Sequence, residues 1–432
     1  MLLIVAVFLF KTDKSIYKGK ESIEQEPTNE PKREKTITIE DPEFWINKIQ
    51  NKNLLLMTET EIDEFNQINF SKKDFLLDLE NHEWTIEKEH LIDLIISSSK
   101  IPHETRYDIR GNIMDKDYFN KLFSNLNLDN VEGLTSIKYG VTVNRTMIRT
   151  FPTFEPSYRK KHDIRFDRFM ETAIYPWEPL IIYTESKDAK WYFGRMYNYM
   201  GWIPKTDVAL GHKEDIFGYI NKKSFLVVID KQVFIDDILF DMGVKIPLVR
   251  KNRNSYTILI PLRDKYGNLE VEEREIGISE SFNKGYLPYT RENIIKQGFK
   301  FKGEEYGWGG INNKRDCSAF IMDIHRSFGL KLPRNAYQQG LESIGKTYKL
   351  NETKIIPPAT ALYMPGHTML YLGEEKGEGY ILHQFEGYYE KQGDKLNYIK
   401  RMRAEVTPVT IKTFTGESYI DKVYLGKEFI KK

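Results

Sequence analysis

Between residues 41 and 126 apolar positions recur every three to four residues, whereas from about 140 to 280 they alternate in short runs. The change of period near residue 140 marks a change of structural class. Asp41-Pro42 supplies a cap and first-turn pair ahead of Phe44, Trp45 and Ile49. Residues 85–97 carry Ile86, Leu91, Ile92, Leu94, Ile95 and Ile96, which predicts a buried helix, and residues 117–126 predict a shorter amphipathic one. Strands are expected at 181–184, 191–194, 224–229, 256–261 and 269–278, separated by Gly and Asn turns such as Tyr266-Gly267-Asn268. Such a series predicts two small barrels in succession, with Trp202 in a core and Tyr197 and Tyr199 exposed. After Cys317 the helical period returns with Phe320, Ile321, Ile324 and Phe328, and Gly329 is a natural stop. Two further strands begin at His367 and Tyr380, and residues 404–429 add strands that close a last sheet. The fold class is therefore α+β, in several domains.

Length and charge limit what such a chain can do. At 432 residues, the chain exceeds one ordinary core and predicts about three domains. Its formal net charge of +1 gives no global field toward nucleic acid or anionic lipid, and Arg159-Lys160-Lys161 reads as a solvated turn. There is no H-E-x-x-H, no cysteine pair and no Walker loop, so neither a metal nor a cofactor is expected, and His82 and His90 are read as structural. Met1 to Phe10 are apolar and uncharged; as a helix they would reach about 15 Å, half of a roughly 30 Å hydrocarbon core. They are signal-like without a basic start or a clear cleavage site, and residues 11–38 read as a polar linker. Export, to a periplasm or cell envelope, or tethering without a spanning helix is the expectation.

The chain holds one cysteine, Cys317, in Arg315-Asp316-Cys317-Ser318-Ala319-Phe320. It can form no internal disulfide and is either a small buried residue or a nucleophile. Its expected place in the first turn of a helix favours the nucleophile, because unpaired N–H groups and the helix dipole there lower a thiol pKa from about 8.5. The glycine-rich Tyr306-Gly307-Trp308-Gly309-Gly310 just upstream lets backbone and aromatics crowd the thiol. Among the eight histidines, His325 lies about two helical turns away, too far to act on it. His367 and His383 flank a loop, 373–377, whose centre is residue 375, so a hairpin pivoting there places the imidazoles opposite each other on one face. His367 can then take the thiol proton while His383 orients it. Asp316 beside the thiol suits either a helix cap or a ligand for a substrate cation.

The segments Y-G-W-G-G (306–310), R-D-C-S-A-F (315–320), L-P-R-N-A-Y-Q-Q (332–339), G-H-T-M-L-Y-L-G (366–373) and L-H-Q-F (382–385) resemble, in kind and order, the NlpC-type family of papain-like bacterial cell-wall cysteine peptidases. Upstream, residues 139–153 and Tyr199-Met200-Gly201-Trp202-Ile203-Pro204 resemble the opening and closing of the bacterial SH3-like barrel of multidomain members, and 56–69 resembles their small stabilising domain. The resemblance implies a layout of 1–38 apolar start and linker, 39–138 helical stabilising domain, 139–212 and 213–283 SH3-like barrels, and 284–432 peptidase domain. It implies hydrolysis of the γ-D-glutamyl–diamino acid bond of peptidoglycan stem peptides, with Cys317 as nucleophile, His367 as base and His383 as orienter. Tyr306, with the backbone N–H of Cys317, would lie by the oxyanion, next to Trp308. Asp316 and Ser318 would bind substrate, and Glu171 and Tyr199 of the first barrel would complete a pocket for the free amine of an N-terminal L-Ala. Where the family often has serine after P-R-N or P-R-D, this chain has Ala336. Peptidoglycan stem peptides are the expected partner, no nucleic acid is, and the chain is expected to be a monomer. An amidase or acyltransferase on the same scaffold and a non-catalytic wall-binding module are the alternatives.

Overall fold

The computed structural model describes residues 36–350, 356–393 and 395–431, so the apolar start and nearly all of the polar linker lie outside it. From Thr38 onward the chain opens with helices Pro42–Ile46, Glu59–Ser71, Lys88–Ser98 and Lys116–Ser124. Pro42 starts the first of these, and the indole N–H of the fully buried Trp45 donates to the Ile39 carbonyl at 2.8 Å. Thr58 and Glu61 close a capping box on the second helix. The helix expected at 85–97 is shorter than its apolar pattern. Thr85–Glu87 is a strand, antiparallel to Leu134–Ser136, and the helix begins only at Lys88. Leu91 and Ile95 are fully buried, but Ile96 is 41% exposed. Pairing with a distant strand outweighed the local helical period, as suits a β-branched Thr-Ile pair.

Seven antiparallel strands follow, in the order Val208–Gly211, Lys138–Thr142, Pro179–Glu185, Trp191–Met196, Tyr199–Pro204, Thr146–Arg149, Met170–Ile174. Trp191, Phe193 and Trp202 fill their core. Tyr197, expected outside, is buried. The turn that carries it packs on the last domain: Asn198 Nδ2 donates to the Leu332 carbonyl at 2.8 Å, and Lys331 lies over the Tyr197 ring. A second sheet runs Leu269–Gly277, Ser255–Arg263, Lys245–Lys251, Phe225–Val228, Phe282–Lys284, with a separate hairpin, Gln232–Ile235 and Ile238–Asp241.

The last sheet has six strands, ordered Lys346–Tyr348, Leu425–Glu428, Ala361–Met364, His367–Glu375, Glu378–Gln392, Lys395–Pro408. Helices Arg291–Phe299 and Cys317–Arg326 share its core, where Ile294, Ile295, Phe320, Ile321, Ile324 and Phe328 meet Leu370 and Leu382. Gly329, in a left-handed conformation, ends the second of these helices. The helix Glu59–Ser71 clamps the segment that follows: Asn66 donates to the Gly329 carbonyl and accepts from the Lys331 N–H, both at 2.9 Å.

Two devices fix this sheet and its helix to the upstream strands. Gly309 and Gly310 have positive φ, and a Cβ on them would lie 2.9 Å from Met170 and 2.5 Å from Ala173. Their lack of side chains serves contact with the Met170–Ile174 strand rather than access to the thiol. The second device is ionic. The guanidinium of the fully buried Arg315 bonds Asp241 (2.7 Å), Glu304 (2.8 Å) and Asp323 (2.6 Å). Arg145, in the bend between the strands Lys138–Thr142 and Thr146–Arg149, also bonds Asp241, at 3.0 Å, and Tyr175 O–H donates to Asp323 at 2.7 Å.

Candidate active site

Cys317 is the first residue of the helix Cys317–Arg326, and Asp316 caps it by accepting from the Ala319 N–H at 2.9 Å. The thiol is 8% exposed and lies against the backbone N–H groups of Thr368 and Ser318. A lowered thiol pKa was the expectation from this position, and the structure corrects it. Burial first, and the Asp316 carboxylate second, push the thiol up to about 12, outweighing the N–H groups. Burial also pushes His367 down to about 4 and His383 well below the usual imidazole value. All three shifts favour the uncharged form of these groups over a thiolate–imidazolium pair.

The two histidines meet, with His367 Nε2 2.8 Å from His383 Nδ1 and His383 Nε2 3.0 Å from Thr407 Oγ1. Phe385 stacks on His383 at 3.9 Å between ring centroids, and Tyr419 stands edge-on to both imidazoles. The hairpin that joins them does not pivot at residue 375. Glu375 pairs with Glu378 and Gly373 with Tyr380, which would carry His367 opposite Glu386 and leave His383 on the other face. A bulge at Leu372 shifts the register so that Tyr371 pairs with Ile381 and Leu370 with Leu382. Continued along the strand, this register sets His367 opposite Phe385, with His383 its diagonal neighbour on one face. Gly373, at φ +126°, permits the bulge.

Beside the thiol, the Asp316 carboxylate is enclosed. It accepts from Arg334 at 2.6 and 3.1 Å, from the Gly309 N–H at 3.1 Å and from Ser318 Oγ at 3.2 Å. Burial opposes its charge, but Arg334 and the N–H groups overcome this and hold it below the usual carboxylate range. Arg334 also donates to Ser318 Oγ at 2.8 Å and, through Nε, to Thr172 Oγ1 at 2.6 Å. Next to Thr172 on the same strand, Glu171 accepts from Tyr199 O–H and from Thr150 Oγ1 (2.6 Å). Tyr306 lies in the field of both Cys317 and Asp316, and Trp308 packs edge-on to Phe166 at 5.8 Å. Ala336 begins the short helix Ala336–Gln339, so no hydroxyl stands there. Arg334 and Thr407 escaped the sequence reading. The first lay in the quoted L-P-R-N segment, where a conspicuous arginine was the available signal; nothing in the chain pointed to the second. Among the described residues, no group of three or more His, Cys, Asp or Glu side chains is arranged to hold a metal ion.

With this geometry in view, comparison with known proteins defines the class. Residues 303–400 match the NlpC/P60 family model and residues 152–204 match that of the SH3 domain of SH3b1 type, so the chain carries an SH3 domain and, behind it, an NlpC/P60 domain. Among individual relatives, a Bacillus subtilis gamma-D-glutamyl-L-lysine dipeptidyl-peptidase is 34% identical over 112 residues, covering 26% of this chain and 33% of that protein. A Bacillus cereus protein of the same name is 22% identical over 158 residues, covering 34% and 44%. The matches thus span less than half the length of these curated relatives. In fold, the chain is similar to an NlpC/P60 endopeptidase from Photobacterium damselae subsp. piscicida, with a TM-score of 0.67 at 18% identity over 85% of this chain and 90% of that one.

Proposed function

We propose that this protein is a cysteine endopeptidase that hydrolyses the γ-D-glutamyl–diamino acid bond of peptidoglycan stem peptides with a free N-terminal L-Ala. The observation that carries the reading is the hydrogen-bonded series His367, His383, Thr407 on the strands beside the Cys317 helix. In the proposed mechanism His383 Nε2–H donates to Thr407 and His367 Nε2–H donates to His383 Nδ1, which leaves His367 Nδ1 free to accept a proton. His367 removes the thiol proton as Sγ attacks the γ-carbonyl, so no resting thiolate is needed. The backbone N–H of Cys317 and the Tyr306 phenol face the oxyanion; one such donor is worth about 100- to 1000-fold in rate. The protonated His367 then gives its proton to the departing amine, and water releases the acyl group by the same route in reverse.

The amine of L-Ala is assigned to Glu171 and Tyr199, with Asp316 at its edge and Ser318 on the peptide. This supports a trimmer of released stems rather than a cutter of intact wall, and a cell-envelope location accords with such a substrate. No helix among the described residues is long and apolar enough to cross a membrane. Incubation with L-Ala-γ-D-Glu-diaminopimelate should release L-Ala-D-Glu and free diaminopimelate, and Cys317→Ala should not. An unchanged product yield with that variant refutes the reading. A wall-binding module without chemistry is favoured by one observation, the burial and raised pKa of the thiol. Failure of the folded protein to cleave the peptide, together with its retention on sacculi, would select it.

A further inference from the structure

Residues 303–307 run between the strands that carry the imidazoles and the loop that leads to Cys317. On one side the Gly303 N–H donates to the Ala404 carbonyl, the Ala404 N–H to the Glu304 carbonyl and the Tyr306 N–H to the Met402 carbonyl, all at 2.8 Å. On the other side the Gly307 N–H donates to the Arg315 carbonyl, also at 2.8 Å. Ala404 is the cross-strand partner of Gln384, the residue next to His383.

Side chains repeat the link. Glu304 Oε2 accepts from Gln384 Nε2 at 3.0 Å, and Glu304 Oε1 accepts from Arg315 at 2.8 Å. Gln384 and Arg315 are fully buried and Glu304 is 4% exposed, so no water competes for these bonds. Arg315 does not need Glu304 to balance its charge. Asp241 and Asp323 bond it at 2.7 and 2.6 Å, and it donates to the Lys231 carbonyl at 2.8 Å. Glu304 therefore adds the desolvation cost of one more buried carboxylate. What it supplies in return is a single group gripped by two elements, the His383 strand and the Cys317 loop.

Resting on the reaction proposed above, we propose that Glu304 is a positioning residue whose carboxylate sets how far the His367–His383 pair stands from Cys317. It acts through Gln384, one residue from His383, and through Arg315, two residues from Cys317. Without the link the two elements are free to shift, and a misplacement of about 1 Å at reacting atoms costs about 100-fold in rate.

The test measures kcat and KM of the whole protein on L-Ala-γ-D-Glu-diaminopimelate, below each variant's melting temperature. Gln384→Leu keeps every ion pair of Arg315 and removes only the link, so kcat should fall about 100-fold with KM within about threefold. Glu304→Gln should be mild, within about threefold of the unaltered kcat. The reason is that Gln384 Oε1 is buried with no hydrogen-bond partner among the described residues. The amide introduced by Glu304→Gln can donate to it once the Gln384 carboxamide turns over. Gln384→Glu sets two carboxylates against each other and should lower kcat as far as Gln384→Leu, and adding Glu304→Gln should recover most of that loss. An unchanged kcat in Gln384→Leu overturns the inference, and so does a Gln384→Glu defect that Glu304→Gln does not relieve. The hydrolase reading survives either result. If Gln384→Leu does not fold, the Gln384→Glu and Glu304→Gln pair decides alone. No cleavage by the folded, unaltered protein overturns both.

Discussion

At Cys317 the helix N-terminus and its own burial pull in opposite directions, and burial wins. Its backbone N–H neighbours are outweighed by desolvation and by Asp316, so the thiol is held high and His367 low. A base must be neutral to act, and lowering its pKa extends the neutral range toward acid. The acid limb of kcat/KM should therefore fall near pH 4 rather than near the free-imidazole value of about 6.5, with rates at pH 5.5 and 7 nearly equal. A limb centred at 6.5 in the pH profile contradicts this. Cys317→Ala should lower kcat by more than about 10,000-fold, and His383→Ala by roughly 100- to 10,000-fold, with little change in melting temperature for the former. At the same scale, acetylating the substrate's L-Ala amine should reduce kcat/KM about 30-fold or more, since Glu171 would face an uncharged amide. Equal rates for acetylated and free tripeptide would remove Glu171 and Tyr199 from the site.

The element on which most depends is the hairpin of His367–Glu375 and Glu378–Gln392. One inserted residue, Leu372, sets which face His367 occupies relative to His383. Deleting Leu372 should put the imidazoles on opposite faces and abolish hydrolysis. Gly373→Val, which forces a β-branched residue into φ +126°, should cost about 1–3 kcal/mol in chemical denaturation and also slow catalysis. Normal activity after the deletion would show that the histidines do not act together. This hairpin also shows where sequence reasoning stops. The two strands and their loop could be read from alternation and spacing, and so could the helix that starts at Cys317, whereas the meeting of His367 and His383 was expected from a pivot at residue 375 that the hairpin does not have. The bulge could not, because alternation is defined only modulo two and one inserted residue leaves no signature. The same limit explains Thr85–Glu87, whose partner strand lies some fifty residues away. It explains Tyr197 as well, which is covered by a domain that the local pattern cannot see.

Across the whole molecule, the ion network around Arg315 ties the strand hairpin carrying Asp241, and Arg145 from the bend before the Thr146–Arg149 strand, to the residues immediately before Cys317. Removing one partner of a buried network leaves an uncompensated charge. Asp241→Ala should therefore destabilise the protein by about 3–5 kcal/mol, measured as the urea midpoint, although Asp241 lies outside the NlpC/P60 segment. A change below about 0.5 kcal/mol would mean that water reaches Arg315 and the domains are only loosely joined.

The clearance at Gly309 and Gly310 has a bearing on ancestry and engineering. With no room for even a methyl group against Ala173, a larger residue on the upstream strand or in the loop before Cys317 would need a compensating change across the seam. This chain is thus a poor donor for cassette-style shuffling: a foreign module grafted in place of residues 152–204 would have to reproduce that bare seam, or the segment around Cys317 would lose its mould.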